Sequence, residues 1–358
     1  MTDGRKEESQ RQRGHTLGLH RVIEPPGALP QAADRLDASG PMYTNEVCLQ
    51  VETLNIASAS FSQIVGEVGA NEEAVAAQIE QIVAGRGKMQ NPVTGSGGML
   101  LGRVAEVGAE YDGPVELTAG DRVATLVSLT LTPLRIERVK AVRLDADQVD
   151  VEATAYLWPS APLVVLGRQD NERVALAALD VCGAPAQTRR LVEDARSVVV
   201  MGTGKSGMLA AAAARDTRGD DVHIVGIDID EKGLVELADA GLFDAVAVAD
   251  ATPPVEVLEA VEQCLRGGRA DVVINTCNIA GAEMSAILAV CQRGTVYFFN
   301  MATDFSRAAL GAEGVGCDAQ LLIGNGYAQG HAEYALELVE RYPVVRRRIE
   351  KLVGSAES

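Results

Sequence analysis

The chain has 358 residues, with 32 Lys plus Arg against 50 Asp plus Glu and a formal net charge of −18. The length predicts two domains of roughly 150 residues each, and the acidity excludes a nucleic-acid surface, which needs basic side chains clustered on one face. No uninterrupted apolar run reaches the roughly 18 to 20 residues of a transmembrane helix, so neither nucleic acid nor membrane is expected as a partner.

The first 20 residues, "MTDGRKEESQRQRGHTLGLH", are polar and lack the apolar centre of a secretory signal; they are expected to form a disordered tail. From Arg21 to about Thr132 the pattern is β-like. "NEVCLQVETLNI", "GGMLLGRVAEVG" and "DRVATLVSLTL" are rich in Val, Leu and Thr and are punctuated by Gly, Pro and Asp. One helix is predicted within this region, "NEEAVAAQIEQIVAG", where Val75, Ile79 and Ile82 recur at helical spacing behind a capping Asn71.

From about Arg196 to Asn300 the pattern changes to alternating strands and helices. "SVVVMG", "VHIVGID", "AVAVAD", "DVVINT" and "TVYFFN" read as strands with Ala- or Leu-rich helices between them, which predicts a parallel sheet covered on both faces. A glycine-rich passage follows, "LGAEGVGCDAQLLIGNGYAQGHAEY", and then a terminal helix, "HAEYALELVERYPVVRRRIEKLVG". The six cysteines are scattered without a close pair, so free thiols in a reducing cytoplasm are expected and a structural zinc site is not.

Within the alternating region, "GTGKSG" places Gly202, Gly204 and Gly207 in G-x-G-x-x-G spacing, between a strand and a helix. Asp228 ends the next strand, 21 residues after Gly207. Together these features predict a dinucleotide site. The first glycine permits the tight turn, the second lets the backbone approach a pyrophosphate, and the third lets the helix lie close to the sheet. Thr203, Lys205 and Ser206 complete the loop, with Lys205 read equally as a phosphate contact or a solvated side chain. Asp228 is expected to bind the adenosine ribose and to repel a 2′-phosphate, so NAD is the expected cofactor. Thr276, Cys277 and Asn278 after one strand, and Asn300, Met301 and Thr303 after another, fall at the carboxyl edge of the sheet, where cofactors bind in open parallel sheets.

A β-rich region, a dinucleotide region and a C-terminal return together resemble the medium-chain dehydrogenase/reductase superfamily. "GDRV" at Gly120 to Val123 and "GRVAEVG" at Gly102 to Gly108 carry that resemblance. It implies an α/β fold: a Rossmann dinucleotide-binding domain over 166–310, and a GroES-like β-rich catalytic domain over 21–165 and 311–358. Gly97, Gly98 and Met99 stand where zinc-dependent members carry Gly-His-Glu, and Ala57 to Ser60 stand where a catalytic Cys is expected. No metal is therefore expected.

Several longer stretches resemble one narrower family, the L-erythro-3,5-diaminohexanoate dehydrogenases: "RVIEPPGALPQ", "VETLNIASASF", "GKMQNPVTGSGGML", "LVSLTLTPL" and "LGAEGVG" with "LIGNGYAQGHAEYALEL". That resemblance implies NAD-dependent oxidative deamination of a diamino acid in lysine fermentation, yielding 5-amino-3-oxohexanoate and ammonia. It also implies a homodimer or homotetramer formed by extending the dinucleotide sheets. Such chemistry needs a base for the ammonium and a donor for water at the imine. Lys88 and His331 are the acid–base candidates, the latter because His15 and His20 fall in the tail and His223 in a predicted buried strand. Glu313, Asn325 and Tyr327 are candidates to meet the second ammonium, as Ser60, Asn91, Thr94 and Ser96 are for other polar groups of the substrate. Each also has a plain reading, as a solvated, capping or turn residue. Two other functions stay open: a zinc-free carbonyl or enone reductase using NAD(P), and a dinucleotide-binding protein without turnover.

Overall fold

The computed structural model describes residues 11–126, 129–167 and 171–354. Part of the expected tail, two residues of "LVSLTLTPL" and the last four residues lie outside the described set. The chain divides into two compact units, one ending at Asp170 and the other running Asn171–Ser355.

In the first unit, β1 (Val22–Glu24) and β2 (Arg35–Leu36) form a small antiparallel pair. The strands β3 (Val47–Ile56), β4 (Gly98–Val107), β5 (Arg122–Thr125), β6 (Leu134–Arg143), β7 (Gln148–Leu157) and β8 (Leu163–Val165) form an antiparallel sheet in the order β6-β7-β3-β4-β5-β8. Alternation explains β3: Val47, Leu49 and Val51 are buried and the residues between them are not. Between β3 and β4 lie α1 (Ser58–Val68) and α2 (Glu72–Arg86). The second is the helix expected from periodicity. Its Asn71 Oδ1 accepts from the Ala74 N–H at 2.9 Å, and Val75, Ile79 and Ile82 enter the core.

Residues 11–20 do not form a tail. Arg11 bonds Glu106, Arg13 pairs with Asp112 at 2.7 Å, and Gly14 and Asn45 exchange hydrogen bonds of 2.8 and 3.0 Å. The polar residues that read as unstructured are those that pair with the sheet and its loops.

In the second unit, β9 (Ser197–Met201), β10 (His223–Asp228), β11 (Ala245–Val248), β12 (Ala270–Asn275), β13 (Val290–Phe298) and β14 (Gln320–Ile323) form a parallel sheet in the order β11-β10-β9-β12-β13-β14. Val198 and Val200 pack into one hydrophobic layer; Val199 and Met201 pack into the other. On the first face lie α3 (Glu172–Leu179), α4 (Gly183–Leu191), α5 (Lys205–Arg218) and α6 (Glu231–Asp239); α7 (Pro254–Cys264), α8 (Glu283–Ala289) and α9 (Phe305–Gly314) cover the second. Ala210 to Ala214 are fully buried in α5, and their small side chains let that helix lie against its neighbours.

The C-terminal return also belongs here, not with the β-rich unit as expected. β14 extends the parallel sheet, and α10 (His331–Arg341) and α11 (Pro343–Gly354) place Tyr334, Leu338, Val345 and Ile349 in the first-face core. The expected single terminal helix is broken by Pro343, which holds Tyr342 at an extended φ −112°, ψ 92°. His223, expected to be buried, keeps 44% of its side chain exposed.

Candidate functional site

At the carboxyl edge of the parallel sheet the strand order reverses between β9 and β12, the position where open α/β sheets bind ligands. The glycine turn lies there. Gly202 has φ +82°, and a Cβ on Gly207 would fall 1.8 Å from the Gly202 carbonyl oxygen, so the helix crosses the turn at a distance only glycine allows. Gly204 differs, because a Cβ there would meet nothing within 4 Å. It is the exposed N-cap of a 14-residue helix whose first turn no side chain caps. Open space over a helix N-terminus with free N–H groups fits the pyrophosphate of a nicotinamide dinucleotide.

Asp228, at the end of β10, is locked to this turn. Its Oδ2 accepts from the Thr203 N–H at 2.5 Å and the Thr203 hydroxyl at 2.9 Å, and its Oδ1 accepts from the Asp230 N–H at 3.0 Å. Across the switch point, the Thr276 hydroxyl donates to the Gly202 carbonyl at 2.8 Å. The Cys277 thiol is pushed up to about 12 by burial and then by the charges of Asp228 and Asp250, so it stays protonated as packing under the turn. Asn278 and Met301 are exposed, and Asn300 donates to the Asn275 carbonyl at 3.2 Å. Ser206 lies in the open first turn, whereas Lys205 reaches Asp180 at 3.2 Å.

One residue of this edge escaped the sequence analysis. Glu283 is almost wholly buried, and its Oε1 accepts from the Asp304 N–H at 2.8 Å, joining the segments that follow β12 and β13. A single carboxylate at a helix start gives no sequence signal of such a long-range tie.

Asn325, Tyr327 and His331 follow β14 at the same edge. The Tyr327 and His331 rings meet edge to face at 4.9 Å, and the Asn325 Oδ1 accepts from the Tyr327 N–H at 2.9 Å. His331 is buried, with no hydrogen-bond partner at Nε2 among the described residues. Burial holds its pKa below the ordinary histidine value, against the pull of Glu333, so the imidazole is neutral at pH 7. Glu313 is not brought to this group. It lies exposed near the end of α9, which returns to the opposite edge before β14 begins, where Asp318 bonds Gln292 at the start of β13. Chain proximity misplaced it, because a crossover helix carries its last residues to the far end of the strands.

In the first unit, Ser60, Thr94 and Ser96 form a hydroxyl cluster. The Ser60 Oγ lies 2.5 Å from both the Thr94 Oγ1 and the Ser96 Oγ. Asn91 is buried and shapes the loop: its Oδ1 accepts from the Val93 N–H at 2.8 Å, and its amide donates to Gln63 at 2.7 Å on α1. Lys88 is also buried, its ammonium donating to the Pro30 carbonyl at 2.8 Å. Burial first, then the charge of Arg86, lowers its pKa to about 8. The contact clamps the residue 25–34 segment onto the strand-free stretch that carries the hydroxyl loop. Among the described residues, no group of three His, Cys, Asp or Glu side chains is placed to hold a metal, and no helix is long and apolar enough to cross a membrane.

Comparison with known proteins agrees with this architecture. Residues 20–167 match a domain family described as the L-erythro-3,5-diaminohexanoate dehydrogenase N-terminal domain. The chain is 46% identical to the L-erythro-3,5-diaminohexanoate dehydrogenase of Acetoanaerobium sticklandii, over 95% of this chain and 99% of that one. It is also 46% identical to the enzyme of the same name from Fusobacterium nucleatum, over 93% and 97%. Among solved structures, an alcohol dehydrogenase from Thermotoga maritima aligns with a TM-score of 0.54 at 14% identity, over 86% of this chain and 85% of that one, and shares the fold. The α/β fold expected from the sequence, a parallel sheet and a separate β-rich sheet, is therefore present, and the chain, an oxidoreductase, belongs to the L-erythro-3,5-diaminohexanoate dehydrogenase family.

Proposed function

We propose that the protein catalyses the NAD-dependent oxidative deamination of 3,5-diaminohexanoate to 5-amino-3-oxohexanoate and ammonia, a step of lysine fermentation. The observation that carries this reading is the near full-length identity to two relatives that bear the enzyme's name. Gly204, Ser206 and Gly207 at the start of the helix would hold the pyrophosphate, with Gly202 and Thr203 shaping the turn beneath it; Asp228 would hold the ribose, and Thr276, Cys277, Asn278, Asn300 and Met301 would border the remainder. Bound there, NAD supplies the hydride acceptor. The preference for NAD over NADP rests on Asp228, whose carboxylate repels a 2′-phosphate.

The chain's own residues then handle protons and polar groups. An ammonium has no lone pair to support a developing cation, so the reacting amine must first become the free base, although at pH 7 it is overwhelmingly protonated. His331, neutral and without a partner at Nε2 among the described residues, suits that proton transfer. Thr94 and Ser96 would offer hydroxyls to the substrate, with Ser60 buried behind them and Asn91 and Lys88 holding their loop in place. Gly97, Gly98 and Met99 supply no metal-ligating side chain except the weak Met99 sulfur, so we read the enzyme as zinc-free.

Enzyme assayed in the presence of a chelator should form NADH and ammonia one to one from 3,5-diaminohexanoate, faster as pH rises above neutrality. NADH from simple alcohols without ammonia would move the assignment to the carbonyl branch, and NAD binding without any turnover would leave a non-catalytic protein. We also propose a homodimer or homotetramer in the cytoplasm. The outermost strand β14 exposes Leu322 and Ile323, and Phe305, Leu310 and Val315 lie exposed on or just after the preceding α9, an apolar edge suited to a second copy. Sedimentation equilibrium that returns only a monomer would end that part of the reading.

A further inference from the structure

We propose that Arg348, on the last helix, is a positioning residue that fixes the ribose carboxylate Asp228 and thereby sets the preference between NAD and NADP; the proposal rests on the cofactor reading above. The two residues are 120 positions apart in the chain. A short relay joins them. The Arg348 Nη2 reaches the Asp230 Oδ2 at 3.2 Å while its Nη1 reaches the Glu236 Oε2 at 3.1 Å, and only 17% of the arginine side chain is exposed. Asp230 caps α6, its Oδ1 accepting from the Gly233 N–H at 3.1 Å. The Asp230 backbone N–H then donates to the Asp228 Oδ1, and the other Asp228 oxygen is held by Thr203 of the glycine turn.

Gly233 gives an independent sign that the relay is built. A Cβ at that position would lie 2.2 Å from the Asp230 Oδ2 and 2.6 Å from the Arg348 Nη2, so an alanine there would push the carboxylate or the guanidinium out of the positions in which they meet over the helix start. The Gly233 N–H first, then Arg348, hold the Asp230 carboxyl below its ordinary value, which keeps the pair charged. A carboxylate that must meet two ribose hydroxyls has to be held in one orientation. Released from Asp230, Asp228 would keep only the Thr203 contacts to one oxygen, and its other oxygen would no longer be held to meet a ribose hydroxyl. Arg347 and Lys232, both exposed in the hollow that Asp230 and Arg348 also line, would remain to attract a 2′-phosphate.

The test is calorimetric titration of NAD and of NADP into the wild type and into Arg348→Met, Arg348→Lys, Gly233→Ala and Asp230→Asn. Arg348→Met and Gly233→Ala should weaken NAD about tenfold, within the range typical of coupling through an intermediate network. NADP should change less, so the preference ratio falls. Arg348→Lys should keep most of the ratio, and KM for the amine substrate should not move in any variant. If Arg348→Met fails to fold, Gly233→Ala and Asp230→Asn read the same relay from its other members. Lower melting temperatures with an unchanged NAD:NADP ratio would show a merely structural contact and overturn the proposal. A wild type that prefers NADP would overturn both this proposal and the cofactor reading; a wild type that prefers NAD, with variants of unaltered ratio, would overturn this one alone.

Discussion

Gly207→Ala should abolish most dinucleotide binding and destabilise the second unit at the same time. The added methyl would fall 1.8 Å from the Gly202 carbonyl oxygen and 3.1 Å from the Thr276 hydroxyl. The first contact is with backbone, so no rotamer change relieves it, and α5 must move away from the turn. Overpacking of this kind costs roughly 1–3 kcal/mol, and a displacement near 1 Å at a binding constellation costs on the order of a hundredfold in function. Gly204→Ala separates the two effects. Its Cβ would enter open space at φ −66°, so the fold should keep its melting temperature while the methyl intrudes where a pyrophosphate would lie. Calorimetric titration with NAD beside thermal melts of both variants checks this. A Gly207→Ala protein that melts and binds like the wild type would mean that the helix does not lie on the turn as described.

That pair of glycines shows why the turn between β9 and α5 was legible in the sequence. Its parts lie within about thirty residues, and each residue type answers a local demand of turn, approach or packing. The strands behind it were legible for a similar reason, since parallel strands buried on both faces read as continuous Val and Ile runs. The C-terminal return was not. β14 is four residues long within a glycine-rich passage, and nothing local says that it extends the sheet. Glu313 was misplaced because periodicity does not say toward which sheet edge a helix runs. The ties that involve His20, Lys88, Glu283 and Arg348 all close between residues far apart in sequence, and one-dimensional patterns carry no information about such partners. The hydroxyl cluster falls between these cases: Thr94 and Ser96 were visible as a polar loop, but the 2.5 Å contacts with Ser60 depend on α1, which the sequence did not announce.

The largest stability effect is expected at one of those long-range ties. Arg21 and Glu46 have no exposed side-chain surface, and they meet through two hydrogen bonds of 2.8 and 2.6 Å. Glu46 also accepts from His20 or pairs with it at 2.8 Å, and accepts from the Tyr43 N–H at 2.9 Å; the Arg21 guanidinium lies 4.2 Å from the centre of the Tyr156 ring. The group ties the segment that leads into β1 to the start of β3. Glu46→Gln leaves a buried guanidinium without its counter-charge, which costs about 3–5 kcal/mol. In a unit of this size that lowers the melting temperature by about ten degrees. Arg21→Met should cost as much from the other side, because it strands the carboxylate. The double variant Arg21→Met, Glu46→Leu should cost clearly less than the sum, since no unpaired charge remains. Acid should act in the same direction as the single variants. Burial works to raise the Glu46 pKa, but the hydrogen bonds from Arg21 and His20 and the charge of Arg21 outweigh it and hold the carboxyl below the usual glutamate range. A carboxyl with a depressed folded-state pKa stabilises fully above its unfolded value of about 4.3, and that contribution is lost as pH falls through the folded value. Urea titrations from pH 7 downward should therefore show the wild type losing stability below about pH 4 more steeply than Glu46→Gln, which has no proton to take up there. A single variant that costs under about 1 kcal/mol, or one with an acid limb as steep as the wild type's, would mean that the pair is solvated in solution and does not hold this segment to the sheet.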